Sequence, residues 1–140
     1  MAHVEIIRVS DDYGFEGRDA SGHTVRMDSS NETGGKDFGI RPMQMLLMGL
    51  GSCSGIDIIS ILKKQKQNVE EFRILIDGER EQGKEATRWK EVRMVFELKG
   101  NLDQEKATRA CALSIEKYCS VASTLMGAGC KISWELKVIK

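Results

Sequence analysis

From Met43 to Leu62 the chain is apolar on nearly every side of a helix, yet its middle reads Gly51-Ser52-Cys53-Ser54-Gly55. Met45, Met48, Ser52, Cys53, Ile56 and Ile59 recur at spacings of three and four, and Pro42 suits the first turn of a helix. The opposite face carries Leu46, Leu47, Leu50, Ile58, Ile61 and Leu62 until Lys63 and Lys64 turn it polar. A helix apolar nearly all round is expected to be buried nearly all round, by a sheet, a second helix and a second subunit. Gln44, three serines and Asp57 argue against a membrane span, since Asp near the centre of one costs about 2.5–3.5 kcal/mol. Each glycine weakens the helix by about 0.8–1 kcal/mol relative to alanine, so some other interaction compensates. Either the small residues let another backbone approach closely, or they leave room for a molecule to reach Cys53.

The remaining segments fall around this helix. "HVEIIRV", "YGFEGRD" and "HTVRMDS" read as short strands, with a turn at Ser21-Gly22, and "SNETGGKDFGI" reads as a loop. "EEFRILIDGERE" and "RWKEVRMVFELKG" alternate as a hairpin pair. A second helix starts at Asp103, a good N-cap with Glu105 in its first turn. Its apolar stripe is Ala107, Ala110/Cys111, Ser114/Ile115 and Tyr118, and a further turn or two runs from Cys119 to Met126. "CKISWELKVI" closes the chain as a strand. The order β-β-β-α-β-β-α-β defines an α+β fold, read as one domain over 1–140.

Charge excludes some functions. The 21 basic and 21 acidic residues balance, which favours neither nucleic acid nor an anionic membrane as partner. "MAHVEIIRVS" has no apolar core after a basic start, so no signal peptide and a cytoplasmic location are expected. A chain of 140 residues buries about 65–70% of its unfolded surface, enough for a core without metal or disulfide staples. Cys53, Cys111, Cys119 and Cys130 contain no C-x-x-C pair, and His3 and His23 lie far from them in sequence. No zinc spacing is present, so no metal site is expected. Buried thiols, reactive thiols, or both remain. Cys111 and Cys130 read as packing residues.

"RPMQMLLMGLGSCSGIDIISILKK" followed later by "YCSVASTL" resembles the osmotically inducible protein C (OsmC) and organic hydroperoxide resistance (Ohr) family, in its OsmC-like branch. The resemblance covers nearly the whole chain. It implies antiparallel sheets packed around a long central helix and a second C-terminal helix, in an intertwined homodimer. It also implies a cofactor-free thiol peroxidase of oxidative and osmotic stress defence, acting on organic hydroperoxides and recharged by an external dithiol reductant. Cys53 is then the peroxidatic thiol and Cys119 the resolving one. Arg18, in "GFEGRDASG", stabilises the thiolate, with Arg41 and Arg26 as fallbacks.

One position departs from the pattern. The hydroperoxide-resistance branch carries Asn-Pro-Glu at the helix start, where the Glu orients the arginine; here the triplet is Arg41-Pro42-Met43. Met cannot accept a charge-assisted hydrogen bond. Asp57, one turn after Cys53, is a substitute acid that also opposes a thiolate beside it. The rival reading is a catalytically weak or inactive OsmC-like protein that binds a small apolar ligand at the dimer interface.

Overall fold

Short polar turns between alternating strands produce the N-terminal meander of β1 (Val4–Ser10), β2 (Gly14–Asp19) and β3 (Thr24–Met27). The sheet is antiparallel throughout, in the order β1-β2-β3, with Ile6 opposite Gly17 and Phe15 opposite Met27. In the computed structural model, which describes residues 1–140, the contacts divide the chain into two compact units, Met1–Leu46 and Leu47–Lys140.

In the first unit a buried acid organises the loop after β3. Asp28 is 3% exposed, and its carboxylate accepts backbone N–H bonds from Ser29 (2.7 Å), Lys36 (2.9 Å) and Phe38 (3.1 Å). Gly39 follows at a place where a Cβ would stand 2.3 Å from the Arg26 carbonyl oxygen, so only glycine fits. The Lys36 N–H bond, with those from Phe38 and Ser29, holds the Asp28 carboxyl below its ordinary value. A depressed carboxyl stabilises the fold above the unfolded-state pKa of about 3.9, and that stability is lost as pH falls through the folded value. Asp28→Asn is therefore expected to lower the melting temperature at pH 7 and to flatten its fall in acid. Thermal unfolding from pH 7 to pH 2 measures both.

The second unit holds most of α1 (Pro42–Lys64), then β4 (Glu71–Arg80), β5 (Trp89–Lys99), α2 (Gln104–Leu113), a π-helical turn (Ser114–Tyr118), α3 (Ser120–Gly127) and β6 (Lys131–Ile139). β5 is the middle strand. Its alternate residues Val92, Met94, Phe96 and Leu98 are 0–1% exposed and, with Leu50, Ile58 and Leu62, belong to the buried apolar core. Phe96 lies 6.3 Å from Phe72 and 6.2 Å from Trp134, ring centre to ring centre.

The small residues of α1 let β4 come close. A Cβ on Gly51 would lie 2.9 Å from Ile76 Cδ1, and one on Gly55 would lie 3.1 Å from Ile74 Cδ1. Close packing of a helix on a sheet offsets the helix propensity lost to glycine. Of the two readings of these glycines, the structure supports close approach directly.

Two expectations change in detail. The second sheet is mixed rather than antiparallel: β4 pairs antiparallel with β5, but β5 pairs parallel with β6. The connection from β5 to β6 runs through α2, the π turn and α3, and a crossover of that length returns the chain in the same direction. Within one chain α1 leaves Leu46, Met48, Ile56 and Ile59 45%, 52%, 70% and 37% exposed, on the helix for which a second subunit is expected. Tyr118, read as the end of the α2 stripe, is 51% exposed. The π turn carries one extra residue per loop of backbone and shifts that stripe out of phase.

Candidate functional site

Three side chains far apart in sequence meet in the second unit. The sulfurs of Cys53 and Cys119 and a carboxylate oxygen of Asp57 all lie within 4.8 Å of one another. α1 supplies Cys53 and Asp57, whose spacing of four puts them on one helical face. Cys119 enters from the junction between the π turn and α3, where it is the N-cap. Its backbone N–H donates to Ser114 O at 2.8 Å, and its Sγ accepts the Ala122 N–H at 3.3 Å. The break after Ser114 turns the chain so that Cys119 faces α1. Sequence periodicity placed the helix there but not this break.

Exposure separates the two sulfurs. Cys53 is half-buried, whereas Cys119 is 2% exposed. Burial pushes the Cys119 thiol up to about 11, and the neighbouring Cys53 sulfur pushes the same way. The proton therefore stays on Cys119 near neutral pH. Cys111 is fully buried and pushed up to about 12, and burial raises Cys130 too, with a contribution from Glu91. Because the thiolate is the nucleophile, alkylation by iodoacetamide at pH 8 is expected to reach Cys53 first and Cys111 last. Timed peptide mapping checks the order, and faster modification of Cys111 would contradict it.

Asp57 is held from the other side. The Ser114 hydroxyl donates to Asp57 Oδ2 at 3.0 Å and also lies 3.3 Å from Ser54 O. A surface cavity of about 500 Å³ opens beside this carboxylate, lined also by Ser60, Lys64, Leu113 and Tyr118. The sequence placed Asp57 one turn from Cys53, as a substitute acid that opposes a thiolate beside it, and Ser114 only on a stripe. The Cys53/Asp57 spacing was a usable signal; the partnership with Ser114 had none.

The arginines lie in the first unit. Arg18 donates through Nε (3.0 Å) and Nη2 (2.8 Å) to Glu16 Oε2, so an acid two residues away holds the guanidinium where Met43 cannot. Beside it, Asp19 accepts from His23 Nδ1 at 2.9 Å. Arg41 pairs with Asp37 at 3.7 Å, and Arg26 lies over the Phe38 ring at 5.1 Å. Arg18 also borders a cavity of about 280 Å³ with Val4, Ile6, Val25 and Met27.

The fold and the paired sulfurs define an α+β protein with a helix-borne dithiol. The chain belongs to the OsmC-like protein family, whose model matches residues 33–135. It is 40% identical over 113 residues to protein YhfA of Escherichia coli (strain K12), covering 79% of this chain and 80% of the relative. Among solved structures, a hypothetical protein from Aquifex aeolicus VF5 superposes with a TM-score of 0.81 at 30% identity, covering 100% of this chain and 98% of that one. The organic hydroperoxide resistance protein OhrB of Bacillus subtilis gives 0.67 at 19% identity over 98% of each chain, a likeness of fold.

Proposed function

We propose that this protein reduces organic hydroperoxides through Cys53 and Cys119. The observation that carries the reading is the convergence of two sulfurs with opposite exposure, one reachable and one kept protonated. Family membership supports the substrate class, since relatives of this fold include organic hydroperoxide resistance proteins.

The Cys53 thiolate attacks the outer oxygen of ROOH, and the O–O bond breaks. Sulfur is oxidised to the sulfenic acid, and the alkoxide takes a proton to leave as ROH. The Cys119 sulfur then displaces the sulfenic hydroxyl, which departs as water with the Cys119 proton. An external dithiol reduces the disulfide and is itself oxidised to a disulfide. The S–S bond needs a separation of about 2.05 Å, so both side chains rotate inward on oxidation. The resemblance assigns the thiolate's counter-charge to Arg18, whose orientation by Glu16 supplies the acid that Met43 lacks.

We further infer a homodimer, because Met48, Ile56 and Ile59 leave one face of α1 apolar and exposed. Sedimentation at micromolar concentration tests it. The function is tested by mixing reduced, metal-free protein with an alkyl hydroperoxide and a dithiol. Catalytic loss of peroxide supports the reading; unchanged peroxide, with an apolar probe retained by the protein, favours the ligand-binding alternative.

A further inference from the structure

We propose that Cys53, Asp57 and Cys119 form a binding site for a thiophilic divalent cation of the zinc class in the reduced protein. Two sulfurs and one carboxylate oxygen converge within 4.8 Å, none of them freely exposed. In a tetrahedral zinc site with Zn–S near 2.3 Å and Zn–O near 2.0–2.2 Å, ligand atoms stand about 3.5–3.8 Å apart. The three side chains reach that spacing by small rotations.

The donor set matches the cation. Two thiolates select against magnesium and calcium, and one carboxylate completes a three-ligand site with a fourth position left for solvent. Asp57 makes no ion pair within the chain; its polar partner is the Ser114 hydroxyl on Oδ2, which leaves Oδ1 to coordinate. A hydrogen bond that fixes the orientation of a ligating carboxylate is the usual support of a metal site. The charge argument points the same way, because a dication offsets the repulsion among three converging anionic groups. Cysteine spacing gave no hint of this, since the ligands come from α1 and from the start of α3.

The site does not depend on peroxidase chemistry. It needs only both thiols reduced, and binding releases their protons. A disulfide between them removes two of the three ligands, so metal occupancy and thiol oxidation exclude one another.

The test uses Co²⁺ as the probe, added anaerobically to the full-length reduced protein freed of metal by a chelator. The expected result is a near-ultraviolet thiolate-to-cobalt charge-transfer band with tetrahedral visible bands, saturating at one ion per chain and erased by Zn²⁺. Cys53→Ala, on a half-exposed helical position, should keep its circular dichroism and lose the band. Asp57→Asn should weaken binding by more than about tenfold, and Ser114→Ala by about 10–100-fold. Cys111→Ser is expected to leave the spectrum unchanged. No charge-transfer band in the reduced protein, a band that survives in Cys53→Ala, or unaltered affinity in Asp57→Asn would each overturn the proposal. Because peroxide consumption is measured on metal-free protein, failure of this site and failure of the peroxidase reading are separately visible.

Discussion

Replacing Cys53 by serine is expected to reduce hydroperoxide consumption to the uncatalysed background, while Cys119→Ser still consumes about one hydroperoxide per chain before stopping in the absence of a reductant. The difference follows from the chemistry assigned to each sulfur. A serine hydroxyl is not ionised near neutral pH and is a poor nucleophile towards an O–O bond. Without Cys119 the first attack still occurs, but the sulfenic acid has no neighbouring thiol to close on. Stopped-flow or endpoint peroxide assays read both. Equal activity in the two variants would mean that neither sulfur has the role given to it, and the reverse asymmetry would exchange their roles.

Phe96→Ala carries the largest expected effect on stability. Phe96 is fully buried on the middle strand of the second sheet, between Phe72 and Trp134. Removing such a ring costs about 3–5 kcal/mol, from lost transfer energy and the cavity left behind. For a chain of 140 residues that lowers the melting temperature by about 10–17 °C. Denaturant unfolding with an unchanged slope would measure the loss; a change under about 1 kcal/mol would mean that the site collapses around the smaller side chain.

The elements were readable because their signals are local. Alternation in β4, β5 and β6, the Pro42 start of α1 and the Asp103 cap of α2 all appear in the structure, where Asp103 accepts the Lys106 N–H at 2.9 Å. What escaped is non-local. The parallel pairing of β5 with β6 depends on how a helical connection crosses the sheet, which no residue pattern within either strand encodes. The extra residue of the π turn is set by packing around Ser114 and Cys119, so periodicity carried Tyr118 to the wrong face.

The site shows the same division. Cys53 and Cys119 were singled out by resemblance, and their approach within 4.8 Å is a tertiary fact. Asp57 was visible as a neighbour of Cys53 on one helix face, but its contact with Ser114 joins positions that sequence spacing leaves unrelated. The Glu16 partner of Arg18 was open to reading, since alternate residues of a strand share a face. The family pattern drew attention to Met43 instead.

The most direct measurement is the intact mass of the reduced, metal-free protein after one equivalent of an alkyl hydroperoxide, followed by peptide mapping. A loss of two hydrogens located to a Cys53–Cys119 bridge, with Cys119→Ser gaining one oxygen at Cys53 instead, is the result predicted by a two-thiol cycle. An unchanged mass, or oxidation that bypasses Cys53, would contradict it.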